Sequence, residues 1–591
     1  MSKFYSLVYL LISLTSLSAC VIEPKVNGAA ADSVAPEIST GIEQKKLVKA
    51  DDWIVVAANP LASEAGASVI RAGGNAIDAM VAVQTVLGLV EPQSSGLGGG
   101  AFLVFWDAQQ QKMTTFDGRE KAPGNVTPAL FVDEKGEPLK FYDAVVGGRS
   151  VGVPGTVKLL WETHRKYGHL PWDKVLEPAI KLAEEGFVVS SRLHKSISKD
   201  AARLSRFDIT KSYFFASDGS PLAIGTLLKN VEYAATLKAI VKNGADAFYT
   251  GRIAEDIVKT VQTAPGNPGK MTLKDLAAYT IVERKPVCKT YREFDICGMG
   301  PPSSGAIAVG QILGTLESFD LAGLGPESPI AWQLIGDSSR LAFADRGRYV
   351  ADSDFVPVPV NGLLDSDYLA ERAKLIQPGK ALAKQAVSAG KPEWDFAIQQ
   401  ADDESIELPS TSHFSIVDKD GNVISMTTTI ENGFGSRLMT NGFLLNNELT
   451  DFSFRTHKNG YPIANRVEPG KRPRSSMAPT IVLKNGKPYM AVGSPGGSRI
   501  IGYVAKAIVA HLDWGMDMQE AINLPNSVNR FGKYDIEENT SHVGPMSKSL
   551  QDMGFETNIR DLNSGLHAIL ITKDGLSGGA DPRREGKSIG D

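Results

Sequence analysis

Cysteine is scarce in this chain: its 591 residues hold three, Cys20, Cys288 and Cys297. Two cysteines without partner histidines nearby do not complete a tetrahedral shell, so the Cys288/Cys297 pair predicts no metal site, and no cofactor is expected. Long hydrophobic runs are missing too. The apolar stretch Leu7 to Leu17 is too short to cross a bilayer. A net charge of −5, spread without like-charge runs or a basic patch with interleaved aromatics, argues against a nucleic-acid partner and for a small-molecule substrate. There is no G-x-S-x-G elbow, H-E-x-x-H helix or Walker loop, which removes the common hydrolase patterns. Ser196-Ile-Ser-Lys199 has the serine–lysine spacing of penicillin-binding enzymes but neither companion motif, so it reads as a solvated helix face.

What is present begins with a targeting segment. Lys3, the short apolar run and Leu17-Ser-Ala-Cys20 have the layout of a secretory signal over residues 1–19 that ends in a lipobox, with Cys20 acylated as the new N-terminus. Acyl chains would hold an otherwise soluble protein at a membrane surface, so a bacterial periplasmic protein on the outer membrane is expected. Residues 20–50 lack apolar periodicity and read as a flexible tether. If the chain turns near Arg292-Glu293, Cys288 and Cys297 face each other across a hairpin, and an exported protein can keep a disulfide there. A prior of roughly 150 residues per domain points to three or four domains, a count that a single large enzyme escapes. Leu61 to Arg71 and Ala76 to Val90 read as helices, the second largely buried, and Ala101 to Trp106 as a strand. The glycine loop Pro92 to Gly100 lies between helix and strand in the opposite order to a dinucleotide fingerprint.

The most informative residue is Thr411, at the head of Thr411-Ser-His-Phe-Ser-Ile-Val-Asp-Lys-Asp-Gly-Asn422, where a polar acidic stretch becomes a strand. A threonine hydroxyl is a poor nucleophile until the residue becomes a chain terminus, when its own α-amine, of pKa about 7.7–8.0, serves as base. Thr411 to Val417 and Val423 to Ile430 alternate around a turn-forming segment. Keeping Phe414, Ile416, Ile424, Met426 and Ile430 on one face requires an odd turn centred on Asp420. That register sets Thr411 opposite Thr429, Cβ atoms ~5 Å apart, with His413, Ser415, Ser425 and Thr427 on the same face. His413 reads as support or as a processing residue, because a free α-amine already supplies a base.

Three further segments complete a constellation: Leu444-Leu-Asn-Asn-Glu-Leu-Thr-Asp-Phe452, Gly470-Lys-Arg-Pro-Arg-Ser-Ser-Met-Ala-Pro-Thr480 and Val492-Gly-Ser-Pro-Gly-Gly-Ser-Arg499. With Phe116-Asp-Gly-Arg-Glu-Lys-Ala-Pro123 and the Thr411 strand, they strongly resemble the γ-glutamyltranspeptidases, from about Ala57 to Arg584. The resemblance implies an α+β fold, a four-layer αββα sandwich of the N-terminal-nucleophile hydrolase type. It implies a precursor that cuts itself between Ser410 and Thr411 into a large chain (51–410 beyond the tether) and a small chain (411–591) that stay associated. Thr411 would then attack γ-glutamyl amides such as glutathione and pass the acyl group to water or to amino acid and peptide acceptors. Arg119, Ser475 and Ser476 match the family's α-carboxylate clamp, and Glu448 and Asp451 its α-ammonium acceptors. Thr429 matches the threonine beside the nucleophile. Gly496 and Gly497 match the oxyanion hole, ahead of a helix expected over Arg499 to Leu512 whose N-terminus offers free N–H groups.

Two departures from the family pattern stand out. Glu431 occupies the position where some members have asparagine, and Glu448 one where others have glutamine, so three acidic groups surround one cation, an arrangement that shifts the pH optimum. The Asp451-to-Ser475 connection, which contains Tyr461, is short beside members with a longer lid. Two alternatives remain at this point. One is a glutaryl-type β-lactam (cephalosporin) acylase on the same scaffold, for which the acidic cluster lacks a partner. The other is a non-enzymatic surface lipoprotein that binds zwitterions.

Overall fold

The computed structural model describes residues 41–591 apart from 395, 397, 404, 406, 407 and 409. The signal, Cys20 and most of the tether fall outside the described residues. Among the described residues, no helix is long and apolar enough to cross a membrane. The tether also ends sooner than residue 50. Val48–Ala50 pairs antiparallel with Gly575–Ala580, and an edge strand needs only main-chain hydrogen bonds, which composition does not reveal.

Two seven-stranded sheets stack face to face. The first runs in the order Lys587–Gly590, Ile54–Ala57, Thr411–Val417, Val423–Thr429, Gly100–Asp107, Lys112–Gly118, Val282–Arg284. The second runs Val48–Ala50, Gly575–Ala580, His567–Thr572, Lys487–Gly493, Thr480–Lys484, Phe294–Gly298, Val287–Tyr291. Between the sheets, Ile54, Val56, Val104 and Val417 pack against Ile481, Ala491 and Ile569. Outside the first sheet, helices Pro60–Arg71 and Ala76–Val90 cover Leu103, Phe414, Ile416 and Met426. Outside the second, helices Gly305–Leu316 and Ile500–Leu512 cover Ile296, Val482, Met490 and Val492. The result is the αββα layering that the family resemblance implies.

Local chemistry sets these elements. Asn59 caps the first helix with Pro60 at its first position, and Asn75 and Asp78 form a capping box on the second. Asp418 does two jobs in one turn. Its carboxylate accepts from Asp420 N, Asn422 N and Asn422 Nδ2, closing the hairpin, and from Ala76 N at the start of the second helix. The hairpin register is Thr411↔Thr429 through Val417↔Val423, centred on Asp420 as the apolar pattern requires. Both strands are buried on both faces because the helices cover one side of the first sheet and the second sheet covers the other.

The glycine loop has a packing role. A Cβ on Gly99 would sit 2.0 Å from Thr429 O, and one on Gly98 2.1 Å from Leu444 O, so the loop lets three backbone segments touch below the strand ends. Cys288 and Cys297 are joined by a disulfide across the terminal hairpin of the second sheet. Ser196 and Lys199 lie on the surface of helix Ser191–Leu204.

Candidate active site

Thr411 is buried at the head of its strand, 4% exposed. Its hydroxyl donates to Thr429 Oγ1 at 3.4 Å. Thr429 in turn donates to the carbonyl oxygen of Ser410 at 2.8 Å and accepts from Glu431 N. In the uncleaved chain, two hydroxyls therefore meet at the peptide bond preceding Thr411. Arg584 holds the other side, donating from Nη1 to Thr411 O at 3.2 Å.

Arg119 follows strand Lys112–Gly118, and its guanidinium is fixed from behind by Pro473 O (3.2 Å) and Arg474 O (2.9 Å). Its front pairs with Glu448 Oε1 and, at 2.5 Å, with Asp451 Oδ2. Burial by itself would lower the arginine's pKa, but Glu448, Asp451 and Glu120 outweigh it and hold Arg119 firmly charged. The two acids project from the short 3-10 turn Glu448–Asp451, which Asn446 fixes by accepting from Glu448 N and Gly152 N. Burial pushes Glu448 and Glu431 well above the ordinary carboxylate range. Glu431 accepts from Asn447 Nδ2 and from Leu408 N, and its backbone is left-handed at φ +72°.

Ser475 and Ser476 follow the Pro473 and Arg474 carbonyls that hold Arg119. Ser476 Oγ accepts from Arg346 Nη2 at 2.9 Å, and Ser475 Oγ from Met477 N. Gly496 and Gly497 have φ of +138° and +57°, in the left-handed region that favours glycine. Beyond them comes a 3-10 turn, Gly497–Arg499, so the α-helix expected from Arg499 starts at Ile500. Among the described residues neither glycine N–H is spent on a hydrogen bond, which leaves two donors at a helix N-terminus for an anion.

Thr411, Thr429, Arg119, Glu431, Glu448, Asp451, Ser475, Ser476 and Gly497 line one cavity of about 20 Å³, together with Leu408, Met477 and Ile500. Leu408, three residues upstream of Thr411, forms part of its wall. Tyr461 stands exposed on the hairpin His457–Lys458/Tyr461–Pro462 and is not among the lining residues. His413 lies between the sheets with Thr427 Oγ1 and Ser415 Oγ as partners, and burial keeps it neutral. Sequence reading missed Glu120, Arg346, Leu408 and Arg584; Glu120, beside Arg119 in a quoted motif, and Arg584, at the end of the family resemblance, carried a signal.

An αββα sandwich with a threonine at the head of a central strand is the architecture of the N-terminal-nucleophile hydrolases. The family model of gamma-glutamyltranspeptidase matches residues 62–591, and the chain belongs to that enzyme family. It is 39% identical to the glutathione hydrolase proenzyme of Bacillus subtilis (strain 168), covering 93% of both chains. It is 34% identical to the acylase ACY 1 proenzyme of Pseudomonas sp. (strain SE83), over 94% of this chain and 96% of that one. Among solved structures, the cephalosporin acylase from Bacillus halodurans superposes with a TM-score of 0.81 at 25% identity, over 94% of this chain and 99% of that one. Membership of an enzyme family replaces the reading as a non-enzymatic zwitterion-binding lipoprotein.

Proposed function

We propose that this chain is an autoprocessed γ-glutamyltransferase and glutathione hydrolase with Thr411 as its nucleophile. One observation carries the reading: Thr411, Thr429 and the Ser410 carbonyl form one hydrogen-bond chain, in a cavity where a guanidinium is paired with two carboxylates. In processing, Thr411 Oγ1 attacks the Ser410 carbonyl carbon, which Thr429 polarises. The Thr411 nitrogen takes the hydroxyl proton and leaves, and water hydrolyses the resulting ester. The products are chains 20–410 and 411–591 and a free Thr411 amine.

In turnover, the substrate's α-carboxylate replaces the acids on Arg119 and gains the Ser475 and Ser476 hydroxyls. Its α-ammonium takes the place of the guanidinium beside Glu448, Asp451 and Glu431. Because the empty site is already an internal ion pair, a zwitterion exchanges partners without leaving a buried charge bare. The Thr411 amine then removes the hydroxyl proton, and Oγ1 attacks the γ-carbonyl while Gly496 and Gly497 N–H groups hold the oxyanion. Collapse expels the amine, and the γ-glutamyl ester on Thr411 passes to water or to an amino acid or peptide amine. The lipobox supports a periplasmic enzyme held at the outer membrane by acyl chains on Cys20.

N-terminal sequencing of the small fragment tests the scheme. Thr411 is expected first, and any other residue overturns the mechanism. Thr411→Ala should run as one uncleaved, inactive band on a denaturing gel. A second reading, a glutaryl-type β-lactam acylase, is favoured by the likeness to acylases. A glutaryl group has no α-ammonium, however, and would leave the acidic cluster without a partner. Turnover of γ-glutamyl and glutaryl anilides separates the two, with the first expected to be faster.

A further inference from the structure

Glu120 follows Arg119 in sequence and is fully buried, yet apart from its own backbone N–H and the carboxyl of Glu448, which lies within hydrogen-bonding reach, its carboxyl oxygens meet no donor among the described residues. A buried carboxylate left without donors is costly unless a proton or a cation compensates it. Glu120 Oε2 lies 4.0 Å from Arg119 Nη1, the same nitrogen that donates to Glu448 Oε1. Glu448 Oε2 also has no donor. Two carboxyls thus converge on one guanidinium nitrogen, each with acceptor capacity unused.

The crowding is built in by the backbone. A Cβ on Gly100 would stand 2.3 Å from Glu120 Oε2, and one on Gly152 2.9 Å from Glu120 Cβ and 3.2 Å from Leu449 Cδ2. Two glycines, on the strand beside Thr429 and on the loop under the Glu448–Asp451 turn, leave room for this one carboxyl and hold it in place. The groups around it are few. Arg119 comes from its own segment, and Glu448 and Asp451 from the turn. The buried phenols of Tyr249 and Tyr279 already donate to Pro154 O and Arg119 O.

We propose that Glu120 and Glu448 hold one proton between them, making Glu120 a positioning residue that fixes the orientation and charge of Glu448 toward the substrate's α-ammonium. Sharing a proton turns two repelling anions into a short O–H···O⁻ hydrogen bond. Burial raises both groups toward the protonated form. One negative charge is removed from the cage around Arg119, which lets the guanidinium accept an incoming α-carboxylate. When the proton leaves at higher pH, the second anion repels that carboxylate, so affinity falls as pH rises. The kinetic part of this assignment rests on the γ-glutamyl reading, whereas the shared proton does not.

Two measurements test it. Infrared difference spectra of the full chain should show one protonated-carboxyl band that both Glu120→Gln and Glu448→Gln abolish, with no further loss in the double variant. Retention of the band in either single variant, or loss of a different band in each, overturns the proposal. Because spectra can be taken on uncleaved protein, failure to mature does not block this arm. For a γ-glutamyl anilide, KM should rise at least about tenfold in Glu120→Ala and climb with alkaline pH in the parent chain. Glu120→Gln donates an N–H that cannot titrate, so it should restore KM and flatten the alkaline climb, with the change falling on KM and not on kcat. An alkaline KM profile identical to the parent's in Glu120→Gln overturns the pairing. If the parent takes only the glutaryl anilide, the substrate reading fails and the infrared result alone decides the pair.

Discussion

At the scale of single residues, the site is a set of charges that neutralise one another. Arg119 is gripped by two main-chain carbonyls and two carboxylates. Arg119→Ala should still mature, because Arg119 makes no contact with the Thr411–Thr429–Ser410 chain, but KM for γ-glutamyl substrates should rise by about 100-fold or more, read from initial rates. Arg119→Lys should recover little, since an ammonium cannot reproduce the planar fork. Glu431 shows a different kind of cost. It is a non-glycine residue at φ +72°, a conformation that asparagine tolerates better than glutamate. Glu431→Asn should therefore gain about 1 kcal/mol in chemical denaturation, while a loss of stability would mean that the Asn447 contact matters more than the backbone.

At the scale of elements, the turn from strand Lys487–Gly493 into helix Ile500–Leu512 carries the two glycines proposed to hold the oxyanion. Gly496 has no freedom to become anything larger. A Cβ there would meet the Tyr503 ring at 2.8 Å while the backbone remained at φ +138°. Gly496→Ala should lower kcat by about 10²–10³-fold with a small effect on KM, as expected when a donor to the developing oxyanion is displaced; an equal effect on both parameters would indicate general disruption. The hairpin from Thr411 to Thr429 was legible because alternation over seven residues a side leaves one register that keeps apolar with apolar. Its mid-sheet place was not, since the strands flanking it, Ile54–Ala57 and Gly100–Asp107, lie more than 300 residues away in sequence.

At the scale of the whole molecule, the C-terminal segment ties residues on either side of Thr411 together. Strand Lys587–Gly590 pairs with Ile54–Ala57, and Lys45 reaches back to donate to Arg584 O. Arg584 holds Thr411, and the turn it belongs to is anchored by Asp581, which accepts from Ser564 Oγ, Leu566 N and Arg583 N. Burial would raise the Asp581 pKa, but Arg583 and these donors bring it down to about 2. A depressed carboxylate contributes stability above its unfolded pKa of about 3.9 and loses it as pH falls through the folded value, here about 2 kcal/mol in all. Acid denaturation followed from pH 5 to 2 should show this loss, and Asp581→Asn should remove that part of the pH dependence.

The amino-acid order by itself determined the hairpin that sets Thr411 opposite Thr429, written in alternation and turn residues, and, through a family resemblance carried by motifs in fixed order, the layering and most of the residues that line the cavity. Tertiary structure decided what those groups do to one another before any substrate binds. Only the folded chain brings Arg119 onto Glu448 and Asp451, sets Glu120 against the same nitrogen, places Leu408 in the cavity wall and lays Arg584 on Thr411. The physical reason is range. Patterns within a dozen residues fix an element, whereas ion pairs and close packing depend on segments hundreds of residues apart meeting where water is excluded.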